Sequence, residues 1–332
     1  MKIILFFHSN LNLLCPQNMG LGGIETAIIE LSMALACNGH EIKLLTHCDH
    51  EVILNGVHNI PINKNDDYTC DAFISINNSE FLNHTLCSKK ILWLHNPINI
   101  EKAFRRGMIF SLFKHQPHAV FGSLYAEKQM TNLYPFKSRS VIPLGISHEF
   151  LQGNVGRKRA HQFIFASQPN RGLDLTINAW IKALPHLPAD ASLNIFGVMS
   201  DQYQFYAQPE NDLRIIFHPR LTKHVLATFY ETAFAMIYPG ANDETFCLAA
   251  AEAQCMGLPV ITMGIGSLSE RVSTGVNGIL CQDEEQFARA IVDLANNPDY
   301  YQLLQTGALA QRQTASWDRI AKIWEYKLSS MY

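Results

Sequence analysis

Two glutamates, Glu244 and Glu252, are separated by seven residues and bracket the small-residue run Ala249-Ala250-Ala251. The stretch begins at the apolar Tyr238-Pro239-Gly240 and resumes at Gly257-Leu258-Pro259-Val260. That order of residue types predicts a strand end, a polar loop, a short helix capped by Gly257, and a new strand. The helix then begins near Thr245–Leu248, at the carboxyl end of a strand. Its first backbone N–H groups lack intrahelical partners and its dipole presents positive charge, so the segment is built to receive an anion. Carboxylates at both ends of an anion site make chemical sense if they accept hydrogen bonds from hydroxyls.

With the following Gly257-Leu258-Pro259-Val260, this stretch resembles the signature of the family 4 retaining glycosyltransferases. The resemblance implies that Glu252 grips the ribose hydroxyls of a nucleotide-sugar donor and that Glu244 contacts the transferred sugar. It also implies that backbone amides around Phe246, Cys247 and Leu248 hold the diphosphate. Gly22 and Gly23 open the first helix after a long loop, where a glycine pair lets backbone approach a ligand closely, and they are assigned to the donor. His95 follows the apolar run Ile91-Leu92-Trp93-Leu94, a position at which the family commonly has a histidine near the transferred sugar. Ser316-Trp317-Asp318-Arg319-Ile320-Ala321 is similar to the family's last helix, which returns to the N-terminal domain, and Asn277-Gly278-Ile279-Leu280 to the strand before the final helices.

There is one departure on the phosphate side. Such enzymes have an arginine and a lysine after the first strand of the second domain, and here the stretch is Phe165-Ala166-Ser167-Gln168-Pro169-Asn170-Arg171-Gly172. Arg171 takes the lysine position and the arginine position holds no base, so Arg220 or Lys223 is a candidate for the missing contact. No Asp-x-Asp pair occurs, in keeping with transfer that needs no metal and no cofactor. The leaving diphosphate is then stabilised by Arg171 and preorganised N–H groups.

Residues 102–114, Lys-Ala-Phe-Arg-Arg-Gly-Met-Ile-Phe-Ser-Leu-Phe-Lys, carry four basic side chains and no acid. Two readings fit: a helix packed on a sheet with a solvated basic edge, or an amphipathic face that meets a membrane carrying a lipid-linked acceptor.

These groups must be positioned by something, and the alternation of short apolar runs with helix-period stretches predicts parallel sheets built from βαβ units. Strands are expected at 2–7, 42–46, 72–76, 90–94, 119–121 and 140–142, then at 163–166, 193–196, 214–217, 235–238, 260–263 and 278–281. Helices are expected at 24–37, ended by Asn38-Gly39, and at 124–133. The chain exceeds what one core usually supports, and the pattern lapses between Ser147 and Arg159. The expectation is therefore the GT-B architecture, two doubly wound Rossmann-like domains facing a central cleft. It divides the chain into an acceptor-side domain at 1–150, a donor-side domain at 151–315, and a returning helix at 316–332.

Composition excludes several classes. The formal net charge is −3, and neither half has the basic surplus that nucleic-acid binding requires. The eight cysteines, Cys15, Cys37, Cys48, Cys70, Cys87, Cys247, Cys255 and Cys281, form no C-x-x-C pair and read as reduced packing residues. The fourteen histidines show no metal-ligand spacing. The apolar start Ile3–Phe7 is shorter than a secretory h-region and reads as a buried first strand of a cytoplasmic protein, peripheral to the inner membrane face if 102–114 binds lipid.

The expected activity is retaining transfer of a sugar from a nucleotide-diphosphate sugar to a saccharide or lipid-linked acceptor, in surface polysaccharide or glycoconjugate synthesis. A sugar-nucleotide epimerase on the same architecture would bind the same donor without an acceptor. A non-catalytic sugar-binding protein would have no use for the paired glutamates.

Overall fold

The computed structural model describes residues 1–9, 11, 22–63, 67–155, 161–198, 201–208 and 212–331. Cys15 and the part of the 147–159 stretch comprising Gly156, Arg157, Lys158 and Arg159 lie outside them. The described residues form two compact units, Met1–Gly145 with Trp317–Tyr332, and Ile146–Ser316.

In the first unit, runs of branched and large apolar residues become strands Lys2–Phe6 (β1), Glu41–Thr46 (β2), Val52–Leu54 (β3), Val57–Pro61 (β4), Ala72–Ile76 (β5), Lys89–Leu94 (β6), His118–Phe121 (β7) and Ser138–Val141 (β8). They lie in the order β3-β4-β2-β1-β5-β6-β7-β8. Every pairing is parallel except β3 with β4. The central strands read as continuous apolar runs because both sheet faces are covered. All five residues of β5, for example, are buried. Helix Gly23–Cys37 links β1 to β2 and ends with Gly39 at φ +87°, the left-handed cap that Asn38-Gly39 predicts.

The sequence reading did not include the β3–β4 pair. Its turn is Asn55-Gly56, with φ of +48° and +79°, the backbone that asparagine and glycine adopt most readily in a tight hairpin. The helix expected over 124–133 stops at Lys128. The carbonyls of Met130 and Thr131 bond the Arg139 guanidinium instead.

The second unit holds Gln162–Phe165 (β9), Ser192–Phe196 (β10), Ile215–His218 (β11), Ala235–Ile237 (β12), Val260–Thr262 (β13) and Gly278–Leu280 (β14). Their order is β11-β10-β9-β12-β13-β14, all parallel. The order reverses direction beside β9, and in such sheets ligands bind outside the carboxyl ends of strands at the reversal. The stretch read as an irregular linker contains a helix, His148–Gln152. Phe150 is fully buried, its ring centroid lies 5.5 Å from that of Tyr230, and Arg312 bonds the carbonyls of Phe150 and Gly153. This helix therefore belongs to the second unit, which starts at Ile146.

Helix Trp317–Ser329 completes the first unit. Trp324 is buried against Trp93 with centroids 5.2 Å apart, and Glu325 accepts a hydrogen bond from Asn38 at 2.7 Å.

Candidate donor site

The site is built on the loops after β9, β12 and β13. After β12 the chain runs through Gly240–Cys247 into helix Leu248–Cys255. Cys247, the residue before the helix, is buried in the left-handed region at φ +61°. A non-glycine residue held there stores about 1–3 kcal/mol of strain, and such strain concentrates where the backbone must be aimed. It marks the end of the loop and the start of helix Leu248–Cys255. Burial raises the Cys247 thiol above its ordinary pKa, and the neighbouring Glu244 charge adds to the effect. The side chain is thus a neutral packing group.

A second loop supports the first. The carbonyl of Glu244 accepts from Ser267 N at 2.9 Å, and Gly240 forms an isolated bridge with Ile265. Gly266 is at φ +71°, and a Cβ there would lie 2.4 Å from the Ala241 carbonyl oxygen and 2.8 Å from that of Glu244. Only glycine permits this approach. Arg271, the last residue of the short helix Leu268–Arg271 that follows this loop, donates to the Phe246 carbonyl at 3.2 and 3.3 Å and stacks over the Phe246 ring at 4.4 Å. Burial lowers its pKa from the usual arginine value, and the carbonyl and the ring face are the groups that receive its charge.

Both glutamates face cations. Glu244 Oε2 accepts from Arg171 Nη1 at 2.9 Å and from the Tyr238 hydroxyl at 2.8 Å, and that hydroxyl in turn accepts from Ser167 Oγ at 3.3 Å. Arg171 Nη2 reaches Asp243 at 3.0 Å, while its Nε is buried without an acceptor. Burial works against the Arg171 charge, but Glu244 and Asp243 outweigh it and its pKa rises. Burial and the adjacent Cys247 and Glu244 keep Tyr238 protonated well above the usual phenol range. Glu252, only 6% exposed, pairs through Oε1 with Lys223 Nζ. Lys223 opens helix Lys223–Thr232 and also lies 5.5 Å from the Phe150 ring centroid.

Of the residues singled out from sequence, Arg171, Glu244, Phe246, Cys247, Leu248 and Glu252 therefore share one end of the second sheet. Lys223 joins them and Arg220 is exposed. The remaining three lie in the first unit. Gly22 caps helix Gly23–Cys37 and Gly23 begins it. His95 follows β6, where its backbone N–H donates to Asn77 Oδ1 at 2.8 Å. Burial holds its imidazole neutral, with a pKa pushed down to about 3. The roles of Asp243, Tyr238 and Arg271 were not read from sequence. Arg271 follows Phe246 by 25 positions, and nothing in its surroundings marks it. Among the described residues no cluster of histidine, cysteine and carboxylate side chains could hold a metal.

The two parallel-sheet units have the GT-B fold of two Rossmann-like domains. The structure superposes on a sucrose-phosphate synthase from Thermosynechococcus elongatus with a TM-score of 0.73 at 16% identity, covering 99% of each chain. The Anabaena protein HepE, solved with UDP and glucose, matches with a TM-score of 0.68 at 14% identity, over 99% of this chain and all of that one.

In sequence, residues 160–297 match the family described as Glycosyl transferases group 1. A D-inositol 3-phosphate glycosyltransferase of Streptomyces griseus subsp. griseus is 35% identical over 107 residues, 32% of this chain and 22% of that relative. The matched segment therefore spans about a fifth of that curated relative. The matched family segment contains Arg171, Lys223, Glu244, Glu252 and Arg271.

Proposed function

We propose that this protein transfers a sugar, with retention of configuration, from a nucleoside-diphosphate sugar to a saccharide or lipid-linked acceptor in surface polysaccharide or glycoconjugate synthesis. The observation that carries the reading is the arrangement around one short helix. Its N-terminus follows a strained turn, and two carboxylates, Glu244 before the helix and Glu252 within it, each pair with a cation.

Each part then has a task. Glu252 exchanges its contact with Lys223 for the two ribose hydroxyls. The N–H groups beginning at Leu248 receive the diphosphate, and Arg171 and Lys223, freed from the carboxylates, supply positive charge to it. As the glycosidic bond breaks, negative charge grows on the leaving oxygen. Donors already aimed there stabilise that charge without reorganisation, and no metal is required by this scheme. Glu244, held by Tyr238, is left to hydrogen-bond the sugar. The placing of His95 and of Gly22–Gly23 in the same reaction rests on the family resemblance.

Calorimetric titration with nucleoside diphosphates tests the reading. Glu252→Gln should weaken binding by about 1.5–3 kcal/mol, the worth of hydrogen bonds to a charged group. Lys223→Met, which unmasks Glu252 but removes a phosphate contact, should weaken diphosphate binding while leaving the bare nucleoside at least as tightly bound. Unchanged nucleotide affinity in Glu252→Gln would remove the ribose assignment. Conversion of the donor sugar in the absence of any acceptor would favour an epimerase instead.

A further inference from the structure

Helices Ile100–Arg105 and Met108–His115 lie between β6 and β7. Their inward residues Ala103, Met108, Ser111 and Leu112 are buried, as a helix packed on a sheet requires. The outward side also carries large apolar groups. Phe104, Phe110 and Phe113 are 62–69% exposed, Ile100 is 64% exposed, and the neighbouring Leu133 is 87% exposed. Two of these rings meet: the Phe104 and Phe110 centroids are 6.1 Å apart. Ile100, Phe113 and Leu133 line one shallow groove of about 120 Å³. Large contiguous apolar surface of this kind marks an interaction site rather than chance exposure.

The charge around it identifies the occupant. Residues 100–139 contain seven lysines and arginines against two glutamates, in a chain whose formal net charge is −3. Arg105, Arg106 and Lys114, which flank the exposed Phe104 and Phe113 in the chain, are themselves exposed, as is Lys128. Of the two acids, Glu101 lies 3.9 Å from Arg105, and both side chains are exposed. Aromatic side chains that enter the acyl boundary, ringed by long cations that reach the headgroups, are the composition of an interfacial helix. We infer that this face docks on an anionic lipid bilayer, with Phe104, Phe110 and Phe113 inserted and Arg105, Arg106 and Lys114 on the lipid phosphates. The inference is independent of the glycosyl-transfer reading, since it concerns binding alone.

Vesicle co-sedimentation of the full chain decides the matter. Wild type should pellet with phosphatidylcholine vesicles containing phosphatidylglycerol and not with pure phosphatidylcholine. Raising the salt well above about 0.1 M, where the screening length is about 10 Å, should release it. Arg105→Gln with Arg106→Gln should lower the partition coefficient roughly 25-fold, from about fivefold per charge. Phe110→Ala with Phe113→Ala should lower it at least about tenfold by removing inserted apolar area, and should leave the melting temperature within about 1–2 °C because both residues are exposed. Failure of wild type to bind anionic vesicles at low salt would overturn the inference. So would wild-type binding by both double variants. Self-association that Phe110→Ala with Phe113→Ala abolishes, without vesicle binding, would assign the face to a second copy of the chain.

Discussion

Replacing Arg171 separates the two things its side chain does. One guanidinium nitrogen holds Glu244 at 2.9 Å and another holds Asp243 at 3.0 Å. The contacts differ in worth because the Glu244 side chain is 13% exposed and that of Asp243 is 63% exposed. A charge-assisted hydrogen bond to a shielded carboxylate contributes about 1.5–3 kcal/mol, and the exposed pair about 0–1 kcal/mol. Arg171→Lys keeps one contact and gives up the weaker, so its stability should fall by no more than about 1 kcal/mol. Arg171→Ala leaves Glu244 with Tyr238 alone and should lose about 2–3 kcal/mol. At about 2–4 °C per kcal/mol, the lysine variant should melt within about 4 °C of wild type and the alanine variant about 4–12 °C below it.

Turnover should not follow this ranking. A lysine offers a point charge where the arginine fork spans two oxygens, so the lysine variant should transfer sugar at least about tenfold more slowly, about 1.4 kcal/mol of lost transition-state stabilisation, although it is nearly as stable. Thermal unfolding by circular dichroism and steady-state kinetics on the same preparations give both numbers. An alanine variant that melts with wild type would show that the Arg171–Glu244 contact does not hold the loop. A lysine variant with full turnover would show that charge alone matters at this position.

For His95, a folded pKa near 3 against about 6.5 in the unfolded chain means that stability is unaffected above the higher value. Below it only the unfolded state takes up the proton, so stability falls by about 1.4 kcal/mol per pH unit until the lower value. At pH 4.5 the deficit is about 2.7 kcal/mol, and His95→Gln should flatten the acid limb of a plot of stability against pH. Parallel limbs would show that His95 is protonated in the fold. Gly266→Ala forces a Cβ against the Ala241 carbonyl oxygen at a positive φ. It should destabilise by more than about 1 kcal/mol and slow turnover while Glu252 still binds the nucleoside. An alanine variant with unchanged stability and rate would refute the close approach of the two loops.

Much of this fold could be read directly because a strand buried on both faces is a short apolar run, and the run itself is the signal. β5 and β6 are examples. The β3–β4 hairpin, whose edge position leaves Ile53 exposed and His58 half-buried, lacks that run, yet its Asn55-Gly56 turn was in plain view. The site divides in the same way. Glu244 and Glu252 were legible because their spacing is local. Their cations were not paired with them in advance, since Arg171 precedes Glu244 by 73 residues and Lys223 precedes Glu252 by 29. Only the strand order brings those loops together, and a one-dimensional pattern does not contain that order. Helix His148–Gln152 was missed for another reason: one turn carrying one buried phenylalanine has no period to detect.

The return of helix Trp317–Ser329 to the first unit bears on how the protein is made. A ribosome emits the sheet of Met1–Gly145 first, but Trp93 lacks its partner Trp324 until the second unit has been translated. At about 5–20 residues per second, the nascent first unit waits roughly 10–35 seconds with that face of its sheet uncovered. The second unit is continuous in sequence and can close its own core during this interval. The unit whose translation starts second is therefore free to be the first one finished, and the unit started first is the more exposed to chaperones and to aggregation. Mutations that loosen the Trp93–Trp324 contact should accordingly lower yield in the cell before they alter the activity of the folded protein.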